Sequence, residues 1–299
     1  MFRINYRESI SSTCELLGVN RQVYYRAIRS KSKRQSVASD VIELVQSIRM
    51  DQPRIGTRKL YYILQESLRS LGVGRDRLFA ILKANHMLIK PKRSYHITTN
   101  SHHRFRKHKN LIENLDVNRP EQVWVSDITY IGNRANPMYL SLITDVYSKM
   151  IVGYYVSNTL AVDSSVKTLK QAIKNRKYPK EKLIHHSDRG LQYCSNQYQR
   201  ILQKNGIKCS MTESYDPYQN AVAERINGIL KQEFLIETSK IEIKIMKKIV
   251  QQSIEIYNTK RPHLSCQMLT PVLMHKQNKI RIKTYKIKNT DKTAVLSVF

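Results

Sequence analysis

Apolar residues near the start of the chain recur at the spacing of short helices. Residues 11–30 predict a short helix, a turn at Gly18-Val19-Asn20 and a second helix that carries Arg21 and Arg26. This pattern fits a helix-turn-helix fragment, and it fits a plain helical hairpin equally well. Residues 29–39 are polar and basic, so we expect them to separate this pair from the helices that follow.

Three more helices are predicted before residue 90. Each shows apolar side chains three and four positions apart, and the first has Ser39 and Asp40 as candidate N-caps. Their apolar positions are Val41, Leu44, Val45 and Ile48; Leu60, Ile63, Leu64 and Leu68; and Leu78, Ile81 and Leu82. Residues 90–118 carry many cations and few apolar side chains, which indicates a basic linker.

Beyond Pro120 the pattern changes to short blocks rich in Val, Ile, Thr and Tyr. Three such blocks, separated by turn-prone residues, predict an antiparallel meander. A helix, a strand, a second helix, another strand and a third helix follow, and strands joined through a helix lie parallel. The predicted segments before the third helix are the strands Val123–Ile131, Tyr139–Val146, Ile151–Val156, Leu183–His186 and Ile207–Met211 and the helices 161–176 and Asn196–Asn205. We therefore expect an α/β fold with a mixed sheet flanked by helices.

The charge of the chain indicates a polyanionic partner. Lys and Arg number 52 against 23 Asp and Glu, a formal net charge of +29 in 299 residues, which is far above what solubility needs. Hydrophobic residues make up 41% of the chain, which argues against a purely disordered basic protein. The sequence shows neither a long apolar run nor a signal peptide, so we expect a cytoplasmic protein. The cysteines lack C-x-x-C spacing, which argues against a disulfide scaffold and a structural zinc site.

Three acidic residues stand at positions that suit catalysis. Asp127 lies in the middle of the first predicted strand, on the same face as Val125. Asp188 follows the strand Leu183–His186, at the end where open α/β sheets bind ligands, and Glu224 lies on the third helix. Each has an ordinary alternative: a buried ion pair for Asp127, a turn for Asp188 and a solvated helix face for Glu224.

The helix that carries Glu224 has a well-marked predicted start. Asp216 is its candidate N-cap, Pro217 occupies the first helical position and Gln219 stands three residues after the cap. One face is apolar, and a second face combines a carboxylate, a small residue expected to allow close approach, and a cation. The members of that second face are Glu224, Asn227, Gly228 and Lys231.

Taken as a group, the three carboxylates predict a divalent metal site. Carboxylate oxygens are the hard ligands that Mg²⁺ and Mn²⁺ prefer. Two such ions about 4 Å apart can stabilise the entering and leaving oxygens of a displacement at phosphorus. The spacing is 60 residues between Asp127 and Asp188 and 35 residues between Asp188 and Glu224.

Four motifs resemble those of the retroviral-integrase-type transposases. They are Trp124-Val125-Ser126-Asp127-Ile128-Thr129-Tyr130, His186-Ser187-Asp188-Arg189-Gly190-Leu191-Gln192-Tyr193, Asn220-Ala221-Val222-Ala223-Glu224-Arg225 and Tyr257-Asn258-Thr259-Lys260-Arg261-Pro262-His263. With the Asp, Asp, 35 residues, Glu spacing, they are most similar to the insertion-sequence family three transposases, whose second reading frame encodes the catalytic part. The similarity runs from about residue 11 to Pro271. The segment Glu213–Gln219 departs from the Gly-rich, Asp-Asn-Ala form expected of many relatives.

The resemblance implies a bacterial DDE transposase that cleaves and joins DNA strands at the ends of an insertion sequence, with a ribonuclease H-like core. It implies that Asp127, Asp188 and Glu224 hold two divalent ions, Mg²⁺ with Mn²⁺ as a substitute. The candidate DNA contacts are Lys231, which the resemblance implies, and Arg189, Arg21 and Arg26. It also implies fusion by frameshift to an upstream-frame product that carries the main end-recognition domain and a leucine zipper. Because two element ends must be held together, we expect a homo-multimer, and we expect it to be associated with the bacterial nucleoid.

We expect four segments along the chain. They are a helical DNA-binding region with helix-turn-helix-like segments at 1–89, the basic linker at 90–118, the ribonuclease H-like catalytic core with C-terminal helices at 119–275 and a basic tail at 276–299. Two other functions stay open: a ribonuclease H-like nuclease without strand transfer, and a catalytically idle DNA-binding element remnant. Trp124 is expected in the core, and His185 and His186 are expected to act as ligands or to orient neighbouring groups.

Overall fold

The computed structural model describes residues 9–90, 108–113, 115–132, 137–212, 220–236 and 241–282. The predicted cap at residues 216–219 and most of the predicted basic tail therefore lie outside the described residues. Contacts divide the chain into two compact units, one that ends at Lys90 and one that holds the rest together with residues 52–54. No helix of the described ranges is long and apolar enough to cross a membrane.

The N-terminal unit is built from helices alone in its described part. They are α1 (Ile10–Leu16), α2 (Arg21–Asp51), α3 (Thr57–Ile63), α4 (Gln65–Ser70) and α5 (Arg75–Ala84). Apolar residues that the sequence pattern assigned to helices pack into one core with Ile55 and Val73. Its buried members from those helices are Val41, Val45, Leu60, Leu64, Leu68, Leu78 and Leu82.

Two helix boundaries in this unit differ from the prediction. The expected break at residues 29–39 is wrong, because Arg21–Asp51 is one helix and Ser39 and Asp40 lie inside it. The segment contains no Gly or Pro, and its Arg, Lys, Gln and Ala residues favour helix, so its polarity marks a solvated helix rather than a loop. The single helix expected around Leu64 is divided there, where the backbone turns to φ −95° and ψ 13°.

The C-terminal unit alternates strands and helices in the predicted order. The strands are β1 (Val123–Gly132), β2 (Pro137–Asp145), β3 (Ile151–Ser157), β4 (Ile184–Ser187) and β5 (Lys208–Met211). The helices are α6 (Val162–Lys174), α7 (Leu191–Cys194), α8 (Asn196–Lys204), α9 (Ala221–Glu233), α10 (Ile243–Thr259) and α11 (Pro271–His275).

The five strands form one mixed sheet in the order β3-β2-β1-β4-β5. The meander pairs β1 with β2 and β2 with β3 in antiparallel fashion, whereas β1 with β4 and β4 with β5 are parallel. These directions follow from the connections, because hairpins reverse the chain and crossover helices do not. The predicted α/β fold, a mixed sheet flanked by helices, is confirmed.

Helices cover both faces of this sheet. The apolar residues of α9 and α10 pack on one face, and those of α6, α7 and α8 pack on the other. Gly153 in β3 allows α6 to approach closely, since a Cβ there would lie 2.5 Å from the carbonyl oxygen of Thr168. The sheet is therefore the middle of three layers, with α9 on one side and α6 on the other.

The motif Tyr257–His263 joins α10 to the rest of the unit. The amide of Asn258 accepts a hydrogen bond from the Ile151 nitrogen and donates one to the Ile151 oxygen, both at 3.0 Å. Arg261 is buried and donates to both carboxylate oxygens of Glu233, at 2.8 Å each. Such a bidentate pair fixes orientation, so this motif holds the start of β3 and the end of α9 in place.

Candidate active site

Asp127 lies half-buried in β1, on the face covered by α9. Its Oδ1 accepts a hydrogen bond from the Ile128 nitrogen at 2.8 Å. Its Oδ2 accepts one from Nδ2 of Asn227, on α9, at 2.6 Å. Val125, two residues earlier on the same face, packs with Ala223 of α9. The strand period therefore turns Asp127 toward the helix that carries Glu224.

Asp188 lies immediately after β4, at the carboxyl end of that strand. Its Oδ1 accepts a hydrogen bond from the Gly190 nitrogen at 3.0 Å. A Cβ at Gly190 would lie 3.0 Å from the same carboxylate oxygen, a tight contact that would require the carboxylate to shift by a few tenths of an ångström. Glycine at this position therefore leaves room for the carboxylate to turn back on the loop.

The three carboxylates influence one another. Burial raises the pKa of Asp127 to about 7, and the charges of Asp188 and then Glu224 add to this effect. Burial also raises the pKa of Glu224. Like-charged carboxylates that share a site disfavour ionisation unless a cation compensates them.

The donor set suits a divalent cation in its chemistry, because it offers hard oxygens and excess negative charge. In the described ranges, no three His, Cys, Asp or Glu side chains come together closely enough to hold one ion. The structure therefore shows neighbouring carboxylates that repel one another rather than side chains already gathered around a common point.

Two buried asparagines flank Glu224, Asn220 at the N-cap of α9 and Asn227 within that helix, and sequence reasoning assigned neither of them a role. Asn220 precedes Glu224 by four residues, and its Nδ2 donates to the Ser126 oxygen of β1 at 3.2 Å. Asn227 follows by three residues and bonds Asp127. The buried Oδ1 atoms of both asparagines have no hydrogen-bond partner within the described part of the chain. The i+3 spacing from Glu224 was the signal that could have identified Asn227.

The expectation for Gly228 is wrong. A Cβ at this position would have no atom within 4 Å, so the residue does not mediate a close approach. Lys231 lies one turn further along α9 and is half-buried, and Arg189 is half-buried beside Asp188. Arg21 and Arg26 belong to α2 in the N-terminal unit, where both are exposed.

The two adjacent histidines of β4 are core residues. His185 is fully buried, and its Nε2 bonds the hydroxyls of Ser126 at 3.1 Å and Tyr198 at 2.9 Å. His186, also fully buried, bonds Ser210 through Nδ1 at 2.9 Å. Burial lowers the pKa of His185 to about 3, so its ring is neutral. Its full burial and its bonds to Ser126 and Tyr198 give it a structural role in the core. Trp124 is fully buried, as predicted.

Known proteins resemble this chain over its core and beyond. Residues 117–217 match the family described as Integrase core domain, and residues 205–271 match a second family of the same description. A 31 kDa protein of the insertion element IS600 from Shigella sonnei is 33% identical over 262 residues, which cover 86% of this chain and 95% of that protein. The transposase InsF for insertion sequence IS3A from Escherichia coli strain K12 is 29% identical over 279 residues, 90% of this chain and 95% of that protein. The chain belongs to the IS3-type DDE transposases.

As a DDE transposase, the protein is a polynucleotidyl transferase that depends on divalent metal ions. A more distant likeness is to the HTLV-2 integrase catalytic core domain in complex with magnesium, which is 18% identical. That alignment covers 52% of this chain and 97% of that domain, with a TM-score of 0.42. The large positive charge of the transposase suits a polyanionic substrate.

Proposed function

We propose that Asp127, Asp188 and Glu224 are the metal ligands with which this transposase cleaves DNA at the ends of an insertion sequence and transfers the freed strand. The observation that supports this assignment is that Asp127 of β1 is hydrogen-bonded to Asn227 of α9, the helix that carries Glu224. The charges of Asp188, at the end of β4, and of Glu224 also act on the Asp127 carboxylate. Two divalent ions, Mg²⁺ or Mn²⁺, bound by these side chains would supply Lewis-acid stabilisation of the entering and leaving oxygens.

The reaction we propose consists of two displacements at phosphorus. Water attacks the phosphodiester bond at the element end, and the bridging 3′-oxygen leaves and takes up a proton. The freed 3′-hydroxyl then attacks a second phosphodiester bond, and in its first such reaction this bond lies at the other element end. The proton of the hydroxyl passes to the oxygen that leaves the attacked phosphorus. Neither step needs a covalent link to the protein.

Basic side chains complete the proposed site. Lys231 on α9 and Arg189 beside Asp188 contact phosphates near the scissile bond, where cations neutralise the backbone. Arg21 and Arg26 on α2 contact a duplex through the N-terminal unit, since both are exposed on one helix. These contacts position the DNA, whereas the carboxylates carry the chemistry.

The proposed activity is tested with DNA duplexes that carry a labelled element end and Mn²⁺. Labelled strands joined to new DNA would support the transposase mechanism. Cleavage without joining would instead indicate a nuclease, and a mobility shift without either product would indicate a catalytically idle DNA-binding protein. Both of these outcomes would overturn the proposal.

We propose that Asn227 positions Asp127 for metal binding. Asn227→Ala removes the 2.6 Å hydrogen bond to Asp127, and loss of such a supporting bond costs about 10–100-fold in metal affinity or activity. Asn227→Asp should cost more, because it places a further carboxylate against Asp127. The measurement is the Mn²⁺ concentration that gives half-maximal cleavage, together with Mn²⁺ binding measured calorimetrically without DNA.

Asn258→Ala is the matched control for this experiment. Asn258 is also a buried asparagine of the same unit, but its bonds go to the backbone of Ile151. This variant should lower thermal stability and leave the Mn²⁺ requirement unchanged. A Mn²⁺ requirement that shifts equally in Asn227→Ala and Asn258→Ala would show that Asn227 acts only through stability.

We also propose that the transposase works at the bacterial nucleoid as a homo-multimer, joined by frameshift to the product of an upstream reading frame. Two element ends must be held together during strand transfer, and the described N-terminal unit is a small helical module. We expect efficient, precise transposition of a marked element only when cells contain the in-frame fusion. Equal transposition with this chain alone would refute the need for the fusion.

A further inference from the structure

A groove between α6 and α8 gathers four cations. The groove is open to solvent and has a volume of about 940 Å³, and none of the described residues that line it is acidic. The cations are Lys170 and Lys174 on α6 and Arg200 and Lys204 on α8, all of them exposed. Each helix thus presents two positive charges one turn apart, and the pairs share one groove.

Ordinary structural roles do not account for all four cations. Lys174 and Lys204 lie in the last turns of their helices, where a positive charge suits the helix dipole. Lys170 and Arg200 lie further from the helix ends, and like charges at i and i+4 destabilise a helix. No described carboxylate forms an ion pair with any of the four. The groove therefore concentrates positive charge that is left for a ligand.

The groove is separate from the catalytic carboxylates. Helices α6 and α8 pack on the sheet face that Trp124 and Ile143 share. Helix α9, which carries Glu224, packs on the opposite face with Leu140 and Leu142. A ligand in the groove is thus held by a different helix layer from the one that carries Glu224 and Asn227.

We propose that this groove binds the sugar-phosphate backbone of a duplex DNA segment other than the one being cut. This inference rests on the proposed DNA transposase activity, because it adds a second DNA-binding surface, on the α6 and α8 layer, to the unit that carries the proposed active site. Long-chain cations that line a groove without carboxylates suit phosphate contacts, which position a duplex without reading its sequence.

The first test is lysine acetylation with and without a DNA duplex, measured by mass spectrometry. We expect DNA to slow modification of Lys170, Lys174 and Lys204 at least about threefold in the full chain, as phosphate contacts shield their amines. Lys244 and Lys248 on α10 are the internal reference, since they are exposed at the same i, i+4 spacing. Unchanged acetylation in the groove would overturn the proposal.

The second test compares paired Lys or Arg to Gln variants. Lys170→Gln with Lys174→Gln should reduce the slope of log affinity against log salt by up to about 1.8, because each phosphate contact contributes about 0.9. Arg200→Gln with Lys204→Gln should do the same. Lys244→Gln with Lys248→Gln removes equal charge, and an equal reduction in that control would mean that net charge alone matters.

The two proposals can fail independently. If the wild-type chain gave no metal-dependent cleavage but DNA still protected the groove lysines from acetylation, only the active-site proposal would be contradicted. If cleavage occurred normally while the groove lysines stayed unprotected and the paired variants kept the wild-type salt slope, the groove proposal alone would fall.

Discussion

Asp127→Asn is expected to reduce the rate of strand cleavage by this transposase by at least about 10³-fold, because removal of a proposed metal ligand removes stabilisation of the transition state. The substitution preserves size but removes one negative charge and one hard oxygen ligand. DNA affinity should stay close to that of the wild-type chain, because affinity depends on the many Lys and Arg residues that neutralise phosphates. The measurement pairs a cleavage assay in Mn²⁺ with a mobility-shift titration.

Asp188→Asn and Glu224→Gln should have the same effect, since the proposed site needs all three carboxylates. Asp163→Asn and Glu255→Gln are the controls, because both residues are exposed, on α6 and α10. These controls should cleave DNA as the wild-type chain does. Substantial cleavage by any one of the three active-site variants would remove that residue from the metal site.

The second large effect is expected at His275, the last residue of α11, which lies in a buried charge cluster. Its Nε2 lies 3.5 Å from Glu121 Oε1, and its Nδ1 lies 3.7 Å from Asp145 Oδ1. Glu121 also pairs with Arg176 at 3.2 Å, and Asp145 accepts a 2.6 Å hydrogen bond from the Ser148 hydroxyl. The cluster links four segments of the unit. Glu121 lies just before β1, Asp145 ends β2, Arg176 follows α6 and His275 ends α11.

His275 is protonated in this cluster near neutral pH. Burial lowers its pKa, but the hydrogen bonds that its ring donates to Asp145 and Glu121, together with the negative charges of these carboxylates, outweigh burial and raise the pKa to about 9. At Glu121 the effects are reversed, because burial raises the pKa of this carboxyl group. Hydrogen bonds outweigh burial and lower the pKa, and their donors are His275, the backbone nitrogens of Lys177 and Tyr178, and Arg176. These opposite shifts are those of an imidazolium held between carboxylates.

His275→Ala should lower the free energy of unfolding by about 3–5 kcal/mol, because it leaves buried carboxylates without their cation. Leu273→Ala is the control, since Leu273 lies on the same helix and is 51% exposed. Unfolding in urea is followed by the fluorescence of Trp124, the single tryptophan, which is buried in the same unit. A loss no larger than that of the control would show that the cluster contributes little to stability.

The same cluster predicts how stability depends on pH. The folded pKa of His275, about 9, lies above its ordinary value, so its contribution is fully present below about pH 6.5 and is lost as pH rises through about 9. The wild-type chain should lose about 3 kcal/mol over this interval from His275. His275→Ala should lack that part of the pH dependence, and an identical profile in both proteins would contradict the assignment.

The sequence by itself determined most of the secondary structure, because the signals are local. The block rich in Val, Ile, Thr and Tyr over Val123–Ile131 indicated a strand, and crossover helices indicated which strands lie parallel. Composition misled over residues 29–39, since a basic stretch can be a linker or a solvated helix and only helix propensity separates the two. The spacing of Asp127, Asp188 and Glu224 was also visible in the chain, as a pattern typical of a family.

Only the tertiary structure decided which side chains meet across long separations in sequence. The bond from Asn227 to Asp127 joins residues 100 positions apart, and the bond from His275 to Ser148 spans 127 positions. Local periodicity places a residue on a face, but many partners are compatible with that face until the helices pack on the sheet. The four cations of the groove likewise become neighbours only when α6 and α8 lie side by side. The packing of helices on the sheet therefore determines which side chains contact one another, because hydrogen bonds and charge interactions depend on distance in space rather than on separation along the chain.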